Sequence, residues 1–379
     1  MKKVVFEATP MVDTKKTGIG YYVDYLIRSL ADTNELELEG YYFDFLGRNH
    51  KQTPAIPHTK FHKISLIPGK LLSVTRRFKW QPPLEIFSRS PSDITLFTNY
   101  VSLPTIRKTN VALIIYDLSY LDHPEFTQEK NLTFLNTFCS DSIQKADLII
   151  TISEFTKQRI INRFPNITAD IIVTPIPPIP FKQNTHDDSI LTRHGLEPHQ
   201  YILYLGTIEP RKNIERLVEG YSLLPDEVRN THPLVLAGGR GWKDETIRAT
   251  IEAYRTRGFA IITTGYITDE EKYSLYHNAS CYTLPSHYEG FGMPVLEAMQ
   301  HHVPVAVSDI PVFREVAGDA AAYFDKDDPD SVARTIGRIL TDTPYRNSLI
   351  AAQQSELDKY SWSTNAQVVT AAFNQLTKR

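Results

Sequence analysis

The segment SHYEGFGMPVLEAM, residues 286–299, sets two glutamates, Glu289 and Glu297, eight positions apart around Gly290, Gly292 and Pro294. A carboxylate accepts paired hydrogen bonds from vicinal hydroxyls, so two such acids can hold two different sugars. Gly290 and Gly292 let backbone N–H groups come close to a ligand. Pro294 suits the first turn of a helix, whose unpaired N–H groups and positive dipole end favour phosphate. Glu297 is read into that same first turn, where simple dipole compensation is the plain alternative. Glu289 precedes the glycines and has no such structural reason. The matching cations stand in YLGTIEPRKNIERLVEGY, where Arg211 and Lys212 lie between a strand and a helix that Asn213 is expected to cap. Adjacent cations at a strand end can neutralise a diphosphate, Arg211 by its planar fork and Lys212 as a point charge. An isolated Arg-Lys pair is more often a solvated basic turn. The combined pattern predicts a site for a polyhydroxylated ligand that carries phosphate.

Other stretches carry less. Gly18 and Gly20 are read as framing a loop between the first strand and first helix. A lone GIG is a weak signal, and Val23 occupies the third glycine position of a dinucleotide fingerprint, which argues against NAD. The acids Asp325 and Asp327 resemble a metal-binding pair but run into Asp328-Pro329, and are read as an acidic turn and helix cap; no metal is expected. His301 and His302 fall at a helix end, where the C-terminal dipole suits them as cations. The segment 69–87 mixes Lys70, Arg76, Arg77, Lys79 and Trp80 with apolar residues, compatible with a membrane surface or with a basic loop.

The elements that must position these residues alternate along the chain. Apolar runs such as KVVFEA, LELEGYYFDF, DITLFTNY, VALIIYDLS and ADLIITIS read as strands, and TGIGYYVDYLIRSL and EFTKQRIINRF as helices, the latter capped by Ser153. Four prolines between Pro175 and Pro180 break the pattern. A second series follows: YILYLG, PLVLAGG, AIITTGYI, CYTLPS, VPVAVS and AAYF. Thr268 and Glu271 form a capping box, and Asp328-Pro329 opens another helix. Ile214, Leu217, Val218 and Tyr221 form the buried stripe of the helix after Lys212. Such alternation predicts an α/β chain of parallel sheets with helical crossovers, whose ligands bind outside the carboxyl ends of the strands. The boundaries read as 1–178 for the first domain, 179–200 for a linker, 201–358 for the second domain and 359–379 for a final helix.

Composition bounds the rest. The 379 residues exceed one ordinary core and suit two domains. A net charge of −3 gives no electrostatic case for nucleic acid. Cys139 and Cys281 are the only cysteines, too few for a disulfide framework. The opening MKKVVFEATP has too short an apolar run for a signal peptide, and no run suits a membrane span, so a cytoplasmic location is expected.

GTIEPRKN, then SHYEGFGMPVLEAM, then PVAVSDIPVFREVAGDAAAYFD, in that order and spacing, resemble glycosyltransferase family 4, the retaining group 1 enzymes of the GT-B fold. The likeness is strongest from Tyr201 to Asp325. TGIGYY, YDLSYLDHPEF and ISEFTKQRI resemble a subgroup rich in bacterial mannosyltransferases of surface polysaccharide. The resemblance implies two Rossmann-like, doubly wound domains facing a central cleft, with the segment SWSTNAQVVTAAF crossing back to the first. It implies Arg211 and Lys212 on the donor diphosphate, Glu289 on hydroxyls of the transferred sugar, and the donor-binding loop Gly290, Phe291, Gly292 and Met293 against sugar and phosphate. Glu297 would hold the nucleotide ribose, Tyr266 would lie near the base, and Gly18 and Gly20 would approach the phosphates or acceptor. Many relatives have His-Asp where this chain has Tyr116-Asp117. Asp117 keeps its catalytic place, and Tyr116 and His123 join it as acceptor-side candidates, although tyrosine is no base near neutral pH. His302 stands where relatives often have glycine, and histidine tolerates left-handed geometry better than most.

The implied activity is metal-independent transfer of a hexose, mannose from GDP-mannose first, to a glycan or lipid-linked glycan, with no cofactor beyond the nucleotide-sugar co-substrate. For the segment 69–87 the two readings stay open, a basic loop or peripheral contact with the inner membrane face. The alternatives are a transferase using UDP- or dTDP-sugars, a nucleotide-sugar epimerase of the same fold, and a non-catalytic sugar-nucleotide-binding partner.

Overall fold

Strands buried on both faces must be apolar throughout, and the short Val/Ile/Leu runs of this chain form parallel sheets for that reason. The computed structural model describes residues 1–14, 16–47, 51–65, 80–88, 90–179 and 187–376. The basic segment Lys70–Lys79 lies outside them; Trp80 is described and is about half exposed. The chain divides into two compact units, residues 1–176 with 361–379, and residues 177–360.

Among the described residues, the first unit has seven parallel strands: β1 Lys2–Glu7, β2 Leu36–Phe43, β3 Thr59–Ile64, β4 Ile94–Phe97, β5 Asn110–Ile115, β6 Leu148–Thr151 and β7 Asp170–Val173. Their order is β3-β2-β1-β4-β5-β6-β7, with Val4 paired to Leu38 on one side and Ile94 on the other. The edge strands β3 and β7 were not read from sequence. TKFHKI mixes half-buried and exposed residues and lacks the continuous apolar run of a central strand. The helix Trp362–Gln375 belongs to this unit. Trp362 stacks on Tyr25 at 5.3 Å, Asn365 donates to Pro175 O at 2.6 Å, and Lys2 Nζ donates to Phe373 O at 2.6 Å.

The second unit carries β8 Ile202–Leu205, β9 Leu234–Ala237, β10 Ile261–Gly265, β11 Cys281–Leu284, β12 Val305–Ser308 and β13 Ala321–Phe324, ordered β10-β9-β8-β11-β12-β13. The chain winds from β8 outward through β9 and β10, returns to β11 beside β8, and winds the other way. β8 and β11 therefore flank the topological switch point, with Cys281 paired to Ile202. A short helix, Ser189–His194, also belongs to this unit, within the stretch read as linker.

Local signals behave as their chemistry requires. Thr268 and Glu271 form the expected capping box, Ser153 Oγ accepts from Thr156 N–H, and Asp328 accepts from Asp330 N–H before Pro329. The helix Ile214–Ser222 buries Ile214, Leu217, Val218 and Tyr221, each worth a few kcal/mol of apolar burial at most. Asn213 departs from expectation. It adopts φ 54° and makes no side-chain cap; its amide donates to Lys326 O at 2.8 Å instead. His302 does take the left-handed conformation, φ 57°. Among the described residues, no helix is long and apolar enough to cross a membrane.

Candidate donor site at the switch point of the second sheet

Arg211 and Lys212 sit in a single 3-10 turn, Pro210–Lys212, in the loop that leaves β8. Glu289 lies in the loop that leaves β11, and the neighbouring strands bring the two loops together. Backbone bonding joins them: His287 N–H donates to Arg211 O at 2.9 Å. Arg211 Nη1 donates to Tyr288 O at 3.0 Å and to Glu289 Oε2 at 2.6 Å, and Lys212 Nζ donates to Glu289 Oε1 at 2.5 Å. Ser286 Oγ is the third donor to the Glu289 carboxylate, bonding Oε1 at 2.7 Å. The other edge of the Arg211 guanidinium bonds Glu209 Oε1, from Nε at 3.2 Å and Nη2 at 2.9 Å.

Glu289 is buried, 7% exposed. Burial alone would push its carboxyl up, but the Arg211 and Lys212 charges and the hydrogen bonds from Lys212 and Ser286 outweigh it and hold the group down to about 2. It is thus a fixed anion over the whole physiological range. Burial also pulls the Lys212 ammonium below its ordinary value, with the Arg211 charge adding and Glu289 opposing. Glu289 is the group that makes this cation tolerable out of water. Among the described residues Lys212 Nζ makes this one hydrogen bond, so two of its three N–H donors are left for a ligand. Glu289 spends three of about four acceptor positions on its neighbours, with room on Oε2 for one sugar hydroxyl.

The helix after Gly292 spans Met293–Gln300 and has Pro294 in its first turn. Gly292 has φ 106°, and a Cβ there would meet Phe313 Cε1 at 2.7 Å, so only glycine fits. The helix start follows the Glu289 loop directly; Pro294 has no N–H and the Val295 N–H is given to Gly292 O at 2.9 Å, so what this end offers is chiefly the positive end of the helix dipole.

The family model for glycosyl transferases group 1 matches residues 189–356, which hold every residue of this site. The O-antigen chain mannosyltransferase B of Escherichia coli is 33% identical over 381 residues, 95% of this chain and 96% of that protein. The chain belongs to the glycosyl transferases group 1. It is a glycosyltransferase. The serotype-specific mannosyltransferase WbdA of Escherichia coli is 31% identical over 68% of this chain, which spans 31% of that longer protein. Solved structures share the GT-B fold across the whole chain. A sucrose-phosphate synthase from Thermosynechococcus elongatus superposes with TM-score 0.75 at 18% identity, covering 99% of each chain. WaaG, a glycosyltransferase involved in lipopolysaccharide biosynthesis, superposes with TM-score 0.72 at 13% identity, covering 98% of this chain and 100% of that one.

Several residues of this glycosyltransferase stand differently from their sequence reading. Glu297 is the fifth residue of its helix, beyond the first turn, and cannot serve as the dipole-compensating acid. Its Oε1 accepts from Lys272 Nζ at 2.9 Å and its Oε2 from Tyr276 OH at 3.1 Å. Phe291 is buried against Tyr360, rings edge to face at 5.7 Å, so only its backbone can meet a donor. Met293 is the first helical residue, and Tyr266, 76% exposed, follows β10 two strands away from β8. His301 is not a dipole-compensating cation. Burial, then the charges of His277, Lys272 and His302, lower it to about 4, so it is neutral at pH 7.

In the first unit, Gly18 and Gly20 do not frame a loop. They open the helix Gly18–Asp32, and the loop is the stretch before them. A Cβ on Gly20 would meet Pro10 O at 2.6 Å, which gives this glycine a packing reason. Tyr116, expected on the acceptor side, is turned inward: it is 4% exposed, and its hydroxyl donates to Thr98 O at 2.8 Å. Asp117 Oδ1 accepts from Ser119 N–H at 2.9 Å and Ser119 Oγ at 2.8 Å, which ties it to the turn that follows. His123 Nδ1 lies 3.2 Å from Glu125 Oε1, its ring stacked on Phe126. The acidic pair behaves as a turn, with Asp325 Oδ1 accepting from Asp327 N–H at 2.9 Å.

The sequence reading missed four partners. Glu209 orients Arg211 from two positions upstream, and Ser286 reaches Glu289 from three. Lys272 and Tyr276, four apart on the helix Asp269–His277, hold Glu297. Short-range spacing was the available signal for Glu209, Ser286 and the Lys272/Tyr276 pair; only the fold shows which partner each serves.

Proposed function

We propose that this glycosyltransferase moves mannose from GDP-mannose to a glycan or lipid-linked glycan in surface polysaccharide assembly, with retention of configuration and without a metal. The observation that carries the reading is the convergence of Arg211, Lys212 and Glu289 at the switch point of one sheet. Glu289 and Glu209 balance the two cations. A donor diphosphate entering beside Lys212 takes up its unused N–H groups, with the Arg211 charge and the start of the Met293–Gln300 helix adding to the positive field. These groups stabilise the charge that develops on the leaving phosphate, the electrostatic role that a metal fills elsewhere. Glu289 Oε2 accepts from a hydroxyl of the sugar, and Glu297, steered by Lys272, accepts from the ribose. In the transfer step the bond from the acceptor oxygen to the anomeric carbon forms, and the bond from that carbon to the phosphate oxygen breaks. The acceptor enters on the leaving-group face and its proton passes to a phosphate oxygen. The choice of mannose rests on the names of the mannosyltransferase relatives. Such a donor places the enzyme in the cytoplasm, and the cationic, aromatic sequence from Lys70 to Trp80 suits contact with an anionic inner membrane face.

A thermal-shift panel of GDP-, UDP- and dTDP-sugars tests the donor. GDP-mannose at about 100 times its Kd should add about 2.7 kcal/mol of stability. Product NMR should give the same anomeric configuration as the donor, and turnover should survive excess chelator. A UDP- or dTDP-sugar giving the larger shift, an inverted product, or activity lost to chelator and restored by one divalent ion would each overturn that part of the reading.

A further inference from the structure

The Arg211 guanidinium is almost fully engaged by the protein. Nε and Nη2 both donate to Glu209 Oε1, and Nη1 donates to Tyr288 O and Glu289 Oε2, so at most one of its five N–H donors remains. The edge formed by Nε and Nη2 is a fork that suits two oxygens of a phosphate. A carboxylate of the same chain sits on it. Charge points the same way. Arg211 and Lys212 against Glu209 and Glu289 sum to zero, so a diphosphate gains little Coulomb energy while both acids stay in place.

The two acids are held very differently. Glu289 takes bonds from Arg211, Lys212 and Ser286, and its side chain is 9% exposed. Among the described residues, the Glu209 carboxylate has Arg211 as its one hydrogen-bond partner. Its side chain is 16% exposed, beside an Arg211 side chain that is 21% exposed. The backbone under Glu209 is fixed by the loop that leaves β9. Ile208 N–H donates to Gly239 O at 3.0 Å, Gly241 N–H donates to Ile208 O at 2.9 Å, and a Cβ on Gly241 would meet that carbonyl oxygen at 2.6 Å. What is left to move is the Glu209 side chain, by rotation about its own torsions. A phosphate oxygen that replaced its carboxylate oxygen would keep both charge-assisted bonds to Arg211.

We propose that Glu209 is a resident counter-anion of the donor site. An entering diphosphate displaces its carboxylate from the Nε and Nη2 edge of Arg211, and the carboxylate takes that edge back as the nucleoside diphosphate leaves. Glu209 thereby sets how tightly the site holds a diphosphate. The inference rests on the donor site proposed above. Calorimetry on the full chain with GDP, UDP and pyrophosphate tests it. Glu209→Gln keeps the volume and one acceptor oxygen and removes the charge; it should bind pyrophosphate and the preferred nucleotide about five-fold more tightly or better. Glu209→Ala should change affinity in the same direction, so a folding defect in one variant does not decide the outcome. The gain should vanish in an Arg211→Met background, because the exchange takes place on that guanidinium. Added salt should weaken binding to Glu209→Gln more steeply than to wild type, since the cluster then carries a net positive charge that salt screens. A Glu209 that only positioned Arg211 would give the opposite sign. Unchanged or weaker binding in both variants, or a gain that survives Arg211→Met, overturns the inference. Binding lost in Lys212→Met but unaltered in Glu209→Gln leaves the donor site standing and overturns this inference alone. Binding indifferent to Lys212→Met overturns the donor site as described, and the Arg211→Met background still decides the role of Glu209. No binding of any of the three probes to wild type or variant overturns both.

Discussion

Glu289→Gln changes charge at nearly constant volume and so isolates the electrostatics of the donor cluster. In the wild-type chain the carboxyl sits at about 2, against an ordinary 4.5. A carboxyl depressed by folding contributes stability that is present above the unfolded value near 4.5 and is lost as pH falls towards 2. The shift is worth about 3 kcal/mol at pH 7. Removing one member of a buried ion pair costs about 3–5 kcal/mol by an independent route, because it strands the other charge. Lys212, 8% exposed, is the charge that would be stranded. The glutamine variant should therefore be about 3 kcal/mol less stable at pH 7, and the gap should narrow by about 1 kcal/mol at pH 4. Trp242 is the one tryptophan of the second unit, so urea unfolding followed by its fluorescence in a Trp80→Phe/Trp362→Phe background reports that unit. Adding Lys212→Met should recover at least about 1 kcal/mol relative to additivity. A gap below about 1 kcal/mol at pH 7, or one that does not move between pH 7 and pH 4, would refute the picture of Glu289 as counterion to a buried cation.

Arg211→Met and Lys212→Met should each lower kcat by about 10²-fold or more, the loss seen on removing one preorganised donor to a developing anion; steady-state turnover near wild type in both would take them out of the site. Gly20→Ala should destabilise the first unit by about 1–3 kcal/mol, since the new Cβ would meet Pro10 O at 2.6 Å. Urea unfolding followed by Trp362 fluorescence, in a Trp80→Phe/Trp242→Phe background, reads it, and an unchanged midpoint would mean that the loop before the helix yields freely. His301, depressed to about 4, is neutral in the folded chain, so its contribution to stability is present above pH 6.5 and falls as pH drops towards 4. His301→Gln should flatten the stability profile between pH 6.5 and 4.5, above the window of Glu289; an NMR titration of His301 near 6.5 would exclude this.

What the sequence determined by itself was local. Continuous apolar runs marked the central strands, because a strand covered on both faces has no place for polar side chains. Thr268, Glu271, Ser153 and Asp328 marked helix starts, because caps act within three residues. The order of GTIEPRKN and SHYEGFGMPVLEAM marked the family and with it the fold. β3 stayed hidden because half of its residues are exposed, and β7 because its apolar run is only Ile171–Val173, whereas the edge strands of the second sheet, β10 and β13, showed in AIITTGYI and AAYF. The tertiary structure alone decided partnership. Arg211 and Lys212 meet Glu289 across 77 or 78 positions because β8 and β11 are neighbours at the point where the sheet reverses its winding. The same fold turned the Tyr116 hydroxyl inward to Thr98, gave Glu297 to Lys272 and pressed Pro10 against Gly20. Periodicity records how deeply a residue is buried, whereas its contacts depend on strand order and on the path of loops from distant parts of the chain.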